Sequence, residues 1–137
     1  LCTNSKFLFS GSADKDIRVW ELDTLKLVSV LEDHTHSIKA LVCNEKRLYS
    51  ASADKTIRCW ALDQHKYECI AILKGHTKHV KSLALSSEGT LLFSGSNDNT
   101  IKVWDLSLNK CIYNLESHTK WVKSLFILGK YLFSGAN

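Results

Sequence analysis

A five-residue phrase returns along this chain at near-constant spacing, and that recurrence constrains the fold more than any other feature. Ser10-Gly11-Ser12-Ala13-Asp14 is followed by Ser50-Ala51-Ser52-Ala53-Asp54 and then by Ser94-Gly95-Ser96-Asn97-Asp98. The phrase opens a fourth time at Ser134-Gly135-Ala136-Asn137. Each complete copy runs into an apolar stretch that ends in tryptophan: Ile17-Arg18-Val19-Trp20, Ile57-Arg58-Cys59-Trp60 and Ile101-Lys102-Val103-Trp104. The aspartates stand 40 and 44 residues apart, and the histidines His34, His76 and His118 that precede successive copies keep a spacing of 42. A chain that repeats one supersecondary unit buries its apolar faces by stacking neighbouring copies, so the period decides the architecture.

The copy that starts at His76 shows the unit. Val80-Lys81-Ser82-Leu83-Ala84-Leu85 reads as a strand, and Ser86-Ser87-Glu88-Gly89 has the composition of a turn. Leu91-Leu92-Phe93-Ser94-Gly95-Ser96 is a second strand, apolar on both faces as a sheet packed between two others requires. Asn97-Asp98-Asn99 marks a hairpin turn, Ile101–Trp104 a third strand and Cys111–Leu115 a fourth. Four short strands within a period of about 40–45 residues make one blade of a β-propeller. Antiparallel strands are predicted near 7–12, 17–22, 26–31, 38–43, 47–52, 56–61, 67–73, 80–85, 91–96, 100–105, 111–115, 122–127 and 131–135, with no sustained helix. The blades fall at 34–75 and 76–117, with incomplete ones at 1–33 and 118–137. Propellers have roughly four to eight blades. With about three and a half repeats, a start at Leu1 and no methionine, the chain reads as an internal part of one propeller domain, whose remaining blades would cover its open edges.

Composition narrows the function classes. No run of 18 apolar residues is present, so no membrane span is expected. The five cysteines are odd in number and form no CxxC pair, which favours buried reduced thiols and hence a cytoplasmic or nuclear protein. Phosphate-binding glycine loops, HExxH and EF-hand patterns are absent from the sequence, so no cofactor is expected. No metal is expected either, because Asp14, Asp54 and Asp98 lie in matching turns of different blades, too far apart to share an ion.

These features together resemble the WD-repeat family of β-propellers. The resemblance is carried by Gly75-His76, by Ser94-Gly95-Ser96-Asn97-Asp98 and by Ile101-Lys102-Val103-Trp104-Asp105, and it spans essentially the whole chain. Trp20-Glu21 and Trp60-Ala61 depart from the family's Trp-Asp, and Asp33-His34 and Ser117-His118 depart from its Gly-His. The resemblance implies an all-β fold, a partial propeller of antiparallel four-stranded blades. It also implies a hydrogen-bonded bracket in each blade. One bracket would be His34, Ser50, Asp54 and Trp60. Another would be His76, Ser94, Asp98 and Trp104, with Ser96 as the alternative to Ser94. Incomplete sets are Ser10, Asp14 and Trp20 at one end and His118 and Ser134 at the other. A partly buried carboxylate needs donors, and histidine supplies one. The other imidazole nitrogen can meet the serine hydroxyl, which accepts from the buried indole N–H. Serine, histidine and aspartate in company also invite comparison with a catalytic triad. An enzyme builds such a set once, whereas here it repeats with the fold and tryptophan joins it each time, so no enzymatic activity is expected.

The resemblance further implies a protein–protein interaction scaffold that docks peptides on its rim and upper face. The Leu92-Phe93-Ser94-Gly95-Ser96 type of blade, with short connections, is most similar to the substrate-reading propellers of F-box and TRAF-type ubiquitin ligases. Kinase-targeting propellers look similar too. A nucleic-acid-binding propeller is the other alternative, raised by 18 basic against 14 acidic residues and by Trp121 and Tyr131 near lysines. Against it, the basic residues alternate along strands as solvated positions do.

The sharpest candidate site is a set of three lysines. Lys39, Lys81 and Lys123 each follow the first apolar residue after the histidine loop, at spacings of 42. The resemblance makes this strand the innermost and puts these positions at the channel mouth. Ser37, His79 and Trp121 stand just before them, and Lys78 and Lys120 come one residue earlier. Strand-start lysines can simply face solvent. Three like charges brought together repel, however, and an arc of them is explained if it meets an anion: an acidic or phosphorylated peptide, with Trp121 offering an apolar or cation–π contact.

Overall fold

The computed structural model describes residues 1–63 and 66–137. The strands are β1 (Cys2–Thr3), β2 (Phe7–Gly11), β3 (Ile17–Glu21), β4 (Leu27–Leu31), β5 (Ile38–Cys43), β6 (Arg47–Ser52), β7 (Ile57–Asp63), β8 (Lys66–Leu73), β9 (Val80–Leu85), β10 (Leu91–Ser96), β11 (Ile101–Asp105), β12 (Lys110–Leu115), β13 (Val122–Leu128) and β14 (Tyr131–Ala136). They form three four-stranded sheets, β1-β2-β3-β4, β5-β6-β7-β8 and β9-β10-β11-β12, and the pair β13-β14. Consecutive strands pair antiparallel throughout. Every strand expected from the sequence is present. β1 was not foreseen: two residues are too short to show an alternation, and it is defined only by the pairing of Cys2 with Phe9 and Thr3 with Leu8. Among the described residues there is no helix.

The first strand of each sheet lies against the first strand of the next, β1 on β5, β5 on β9 and β9 on β13. Behind this seam two cores fill the spaces between sheets. Phe9, Ile17, Val19 and Leu31 of the first sheet meet Ile38, Leu41, Leu48 and Trp60 of the second. Tyr49, Ala51, Ile57, Cys59 and Leu73 of the second meet Val80, Leu83, Leu92 and Trp104 of the third. A sheet buried on both sides needs apolar residues on both faces, which is why strands such as β6 and β10 read as unbroken runs. The small middle residue of the repeated phrase has a packing cause. A methyl group added to Gly11 would come within 2.4 Å of Ile38 Cγ2, and one added to Gly95 within 2.6 Å of Val122 Cγ1. The missing side chain lets the next inner strand approach.

Each tryptophan marks a slip in register. The pairing with the outer strand shifts between Val19 and Trp20, between Cys59 and Trp60, and between Val103 and Trp104. Such a bulge twists the strand pair and re-aims a side chain. The indoles thereby reach across two positions of the sheet. Trp60 Nε1–H donates to Ser50 Oγ at 2.9 Å, and Trp104 Nε1–H donates to Ser94 Oγ at 2.8 Å. Ser50 Oγ lies 2.7 Å from His34 Nε2, and His34 Nδ1 lies 2.6 Å from Asp54 Oδ2. The third sheet repeats this with His76 Nε2 2.7 Å from Ser94 Oγ and His76 Nδ1 2.7 Å from Asp98 Oδ2. Because the carboxylate only accepts, the imidazole carries its proton on Nδ1 and takes the serine O–H at Nε2. Hydrogen-bonding capacity is thus used in one direction from indole to carboxylate.

The carboxylates accept further bonds. The backbone N–H of Thr35 and Thr77 reach Asp54 and Asp98, and the Thr56 and Thr100 hydroxyls bind the second oxygen at 2.6 and 2.7 Å. Burial alone would raise the Asp98 carboxyl, but the donors Thr100 and His76 overcome it and hold the pKa at about 2. Asp54 is lowered in the same way. Burial lowers His34 and His76, against the opposing pull of their aspartates, and so keeps both imidazoles neutral.

At the ends the sets differ. Trp20 Nε1–H reaches Ser10 Oγ at 2.9 Å, but Asp14 has no histidine and pairs with Arg18 at 2.9 Å in the open. His118 Nε2 lies 2.7 Å from Ser134 Oγ on an exposed surface. The serine left open by the sequence is settled by these distances: Ser94 joins indole and imidazole, while Ser96 does something else, described below.

Two outcomes follow for stability. Trp104→Ala should cost about 3–5 kcal/mol, the range for truncating a large buried aromatic. Ser94→Ala removes far less surface but orphans an indole N–H and an imidazole nitrogen, so it should cost roughly 1–3 kcal/mol per orphan. Chemical denaturation measures both, and a Ser94→Ala loss no larger than that of an exposed serine would contradict the bracket. The pH dependence has a defined sign. A base whose folded pKa is lowered stabilises fully above its unfolded value, so the contribution of His34 and His76 is complete above pH 6.5 and declines below it. The contribution of Asp98 is complete above 3.8 and is lost as pH falls toward about 2. The denaturation midpoint should therefore be flat from neutral to mildly alkaline pH and fall in two stages on acidification. A midpoint that rises between pH 7 and 5 would contradict this.

Candidate functional site

The bracket offers no open chemistry. Ser50 and Ser94 are fully buried, and each hydroxyl accepts from an indole while donating to an imidazole. A nucleophile needs a free face for the atom it attacks, and these oxygens have none. Among the described residues no three of His, Cys, Asp and Glu converge as metal ligands. Accessible chemistry lies instead at the ends of the sheets.

One end is built by the loops 32–37, 74–79 and 116–121 that lead into β5, β9 and β13, together with the hairpin turns that follow β2, β6 and β10. Main-chain bonds lock these pieces together. Ala53 N–H donates to Ser37 O at 2.9 Å, Asn97 N–H to His79 O at 2.9 Å and Asn137 N–H to Trp121 O at 3.2 Å. The last serine of the phrase completes the joint. Ser52 Oγ–H reaches the carbonyls of His36 and Ser37 at 2.8 and 3.0 Å, and Ser96 Oγ–H reaches Lys78 O at 3.3 Å. The same hydroxyls accept the N–H of Asp54 and Asp98. Bracket and rim are therefore two parts of one fastening, the first serine holding the tryptophan and the second holding the loop.

On this fixed edge the cations gather. Lys39 and Lys123 are exposed, and Lys81 between them is half-buried. Burial and then the charges of Lys39 and Lys123 press Lys81 below its ordinary value, so Lys81 feels a lysine from the sheet on either side. Lys78 and Lys120 are exposed beside them, and Trp121 keeps 46% of its surface open. Among the described residues no ion pair involves Lys39, Lys81 or Lys123. Lys130 lies over the ring of Tyr131 at 5.6 Å, whereas no lysine covers Trp121.

One residue expected on this edge is not available there. Ser37 is buried, with its hydroxyl 3.2 Å from His36 Nδ1 and its carbonyl spent on Ala53 and Ser52. It backs the rim, and the preceding residue His36 takes the exposed place. The His36 ring lies 5.9 Å from that of His79. His79 is lowered by burial first and then by Lys81, His36, Lys39 and Lys55. Two members of this group, His36 and Lys55, escaped the sequence reading. A signal for His36 was present, since it precedes Lys78 by the same 42 residues that separate Lys78 from Lys120. Lys55 gave none. It sits in a left-handed turn at φ 73°, a place shared by Lys15 at 82° and Asn99 at 72°.

The other end is of opposite character. Asn4, Ser5, Lys6, Phe7, Glu21, Asp23, Glu45, Leu62 and Asp63 line an open groove of about 560 Å³ whose charge is mainly acidic. There Ser5 ties the first sheet to Glu45 of the second, its hydroxyl at 2.6 Å.

Comparison with known proteins fits this geometry. The WD40 family, described as WD domain, G-beta repeat, matches residues 1–21, 25–61 and 67–105. No curated protein matches the sequence. A chain in the crystal structure of a mitotic checkpoint complex superposes with a TM-score of 0.89 at 24% identity, over 96% of this chain. This chain spans 41% of that one, so the likeness is one of fold. Altogether 1035 solved chains match, and a fold so widely shared selects no single activity. The three matched segments cover most of the chain, and each ends just past a tryptophan of the bracket series: the chain belongs to the WD40 family of WD domain, G-beta repeat proteins, as part of an all-β propeller.

Proposed function

We propose that this chain works as a non-enzymatic protein–protein interaction scaffold whose cationic rim docks acidic or phosphorylated peptide segments. One observation carries the reading: Lys81 feels the charges of both Lys39 and Lys123, while among the described residues no carboxylate pairs with any of the three. Bringing like charges together costs free energy that neutral residues would avoid, and an anionic partner reverses the sign of that cost. Lysine meets a phosphate or a carboxylate as a point charge with three donors, so the rim tolerates variety in the anion's geometry. The open face of Trp121 supplies apolar contact next to the charges, which suits a peptide better than a small ion. Attached to a ligase, such a module would read substrates; attached to a kinase, it would target that kinase. The absence of disulfides among its free cysteines fits a cytoplasmic or nuclear place of work.

The test uses a doubly phosphorylated acidic peptide and its unphosphorylated counterpart. Exposed ion pairs contribute about 0.2–1 kcal/mol each. Lys39→Ala, Lys81→Ala and Lys123→Ala together should therefore weaken the phosphorylated peptide by roughly threefold to a hundredfold, with a smaller salt dependence left behind. Unchanged binding in a folded triple mutant would refute the rim as the recognition site. Binding of single-stranded DNA with equal affinity would refute peptide docking in favour of a nucleic-acid role.

A further inference from the structure

We propose that His79 is the proton-linked member of this rim: an anion docked at the seam between the second and third sheets, where His36, His79, Lys39, Lys55 and Lys81 converge, is bound together with a proton taken up by the His79 ring. The inference rests on the rim being an anion site, and it adds a location and a chemistry to that reading. Among the described residues the groups facing His79 are all cationic or neutral. Lys81 comes from its own strand, His36 and Lys39 from the entry to β5, and Lys55 from the turn after β6. From the fourth sheet Lys123 acts through Lys81. No carboxylate acts on His79 among the described residues, and those of the two adjoining hairpin turns are already engaged. Asp54 and Asp98 have side chains only 7% exposed and are spent on His34 and His76.

The two imidazoles are not equivalent. His36 Nδ1 accepts the backbone N–H of Ser37 at 2.8 Å, and protonation there would break that bond. Among the described residues none hydrogen-bonds to the ring nitrogens of His79, whose carbonyl accepts the Asn97 N–H. It is therefore the imidazole free to accept a proton without structural loss. Without a ligand its surroundings oppose that step. An anion in the seam removes the opposition, because it neutralises the lysines and gains a donor from the protonated ring. By linkage, affinity must then rise as pH falls toward the imidazole range. Lys55 reaches this seam from the turn after β6, whose left-handed residue recurs as Lys15 and Asn99 in the neighbouring blades.

The probe should have constant charge, since a phosphate's second ionisation near pH 6 would blur the reading. A glutamate-rich peptide serves, bound to the full-length protein at pH 6.0 and 7.5 and at one ionic strength. Affinity is expected to be several-fold higher at the lower pH. Calorimetry in buffers of different ionisation enthalpy should show net proton uptake on binding. His79→Gln should remove both the pH slope and the uptake while leaving affinity at pH 7.5 within about twofold. The His79 ring, followed by NMR, should titrate below 6.5 when free and higher when bound. Binding that is independent of pH, or a slope that survives in His79→Gln, would overturn the proton link while leaving the lysine rim intact. No binding at either pH would overturn the rim itself and this inference with it.

Discussion

The chain of hydrogen bonds from tryptophan through serine and histidine to aspartate is what the rest of this structure hangs on. It joins four pieces of backbone that the sequence keeps apart: the strand carrying the indole, the strand carrying the serine, the hairpin turn carrying the aspartate and the loop carrying the histidine. The indole gives, the carboxylate receives, and the serine and histidine between them do both, so no polar group of the bracket is idle. A buried network of this kind is favourable only when complete, because the same low dielectric that strengthens its bonds penalises an orphan. The open set at the first sheet shows the consequence. Without a histidine, Asp14 has a side chain 46% exposed and takes a surface partner, Arg18.

From that fastening the functional edge inherits its rigidity. The residues that start β5 and β9 follow loops pinned twice, once through histidine and once through the second serine of the repeated phrase. Lysines placed there cannot drift apart to relieve their repulsion as lysines on a mobile loop would. The charge they concentrate is therefore held in place by the fold. The opposite end, with its acidic groove, gives the described residues a charge polarity from one end of the sheets to the other.

Much of this could be read from the residues, and the reasons are particular. The strands were legible because both-sided burial makes runs such as Leu91–Ser96 stand out between turn-forming residues. The bracket was legible because its members repeat in order. Which serine of Ser94 and Ser96 joins the indole was not, since both are buried, both bond and alternation puts both on one face; their places along the strand decide, Ser94 beside Trp104 and Ser96 at the strand end, past a register shift, beside the Lys78 carbonyl. Ser37 misled for a related reason. Its neighbours in the other repeats, His79 and Trp121, are too large to be swallowed by the loop, while a serine fits beneath it. Lys55 and His79 are brought together by packing between blades, and no spacing along one chain reports a contact across two.

The account stands on the direction of the hydrogen bonds in the bracket, and long-range ¹H–¹⁵N spectra of His34 and His76 measure that direction. It predicts that both rings are neutral at pH 7, protonated on Nδ1 and bare on Nε2, and that they stay so well below the pH at which a free imidazole charges. Rings protonated on Nε2, or imidazolium rings at neutral pH, would break the relay at the serine and contradict the account.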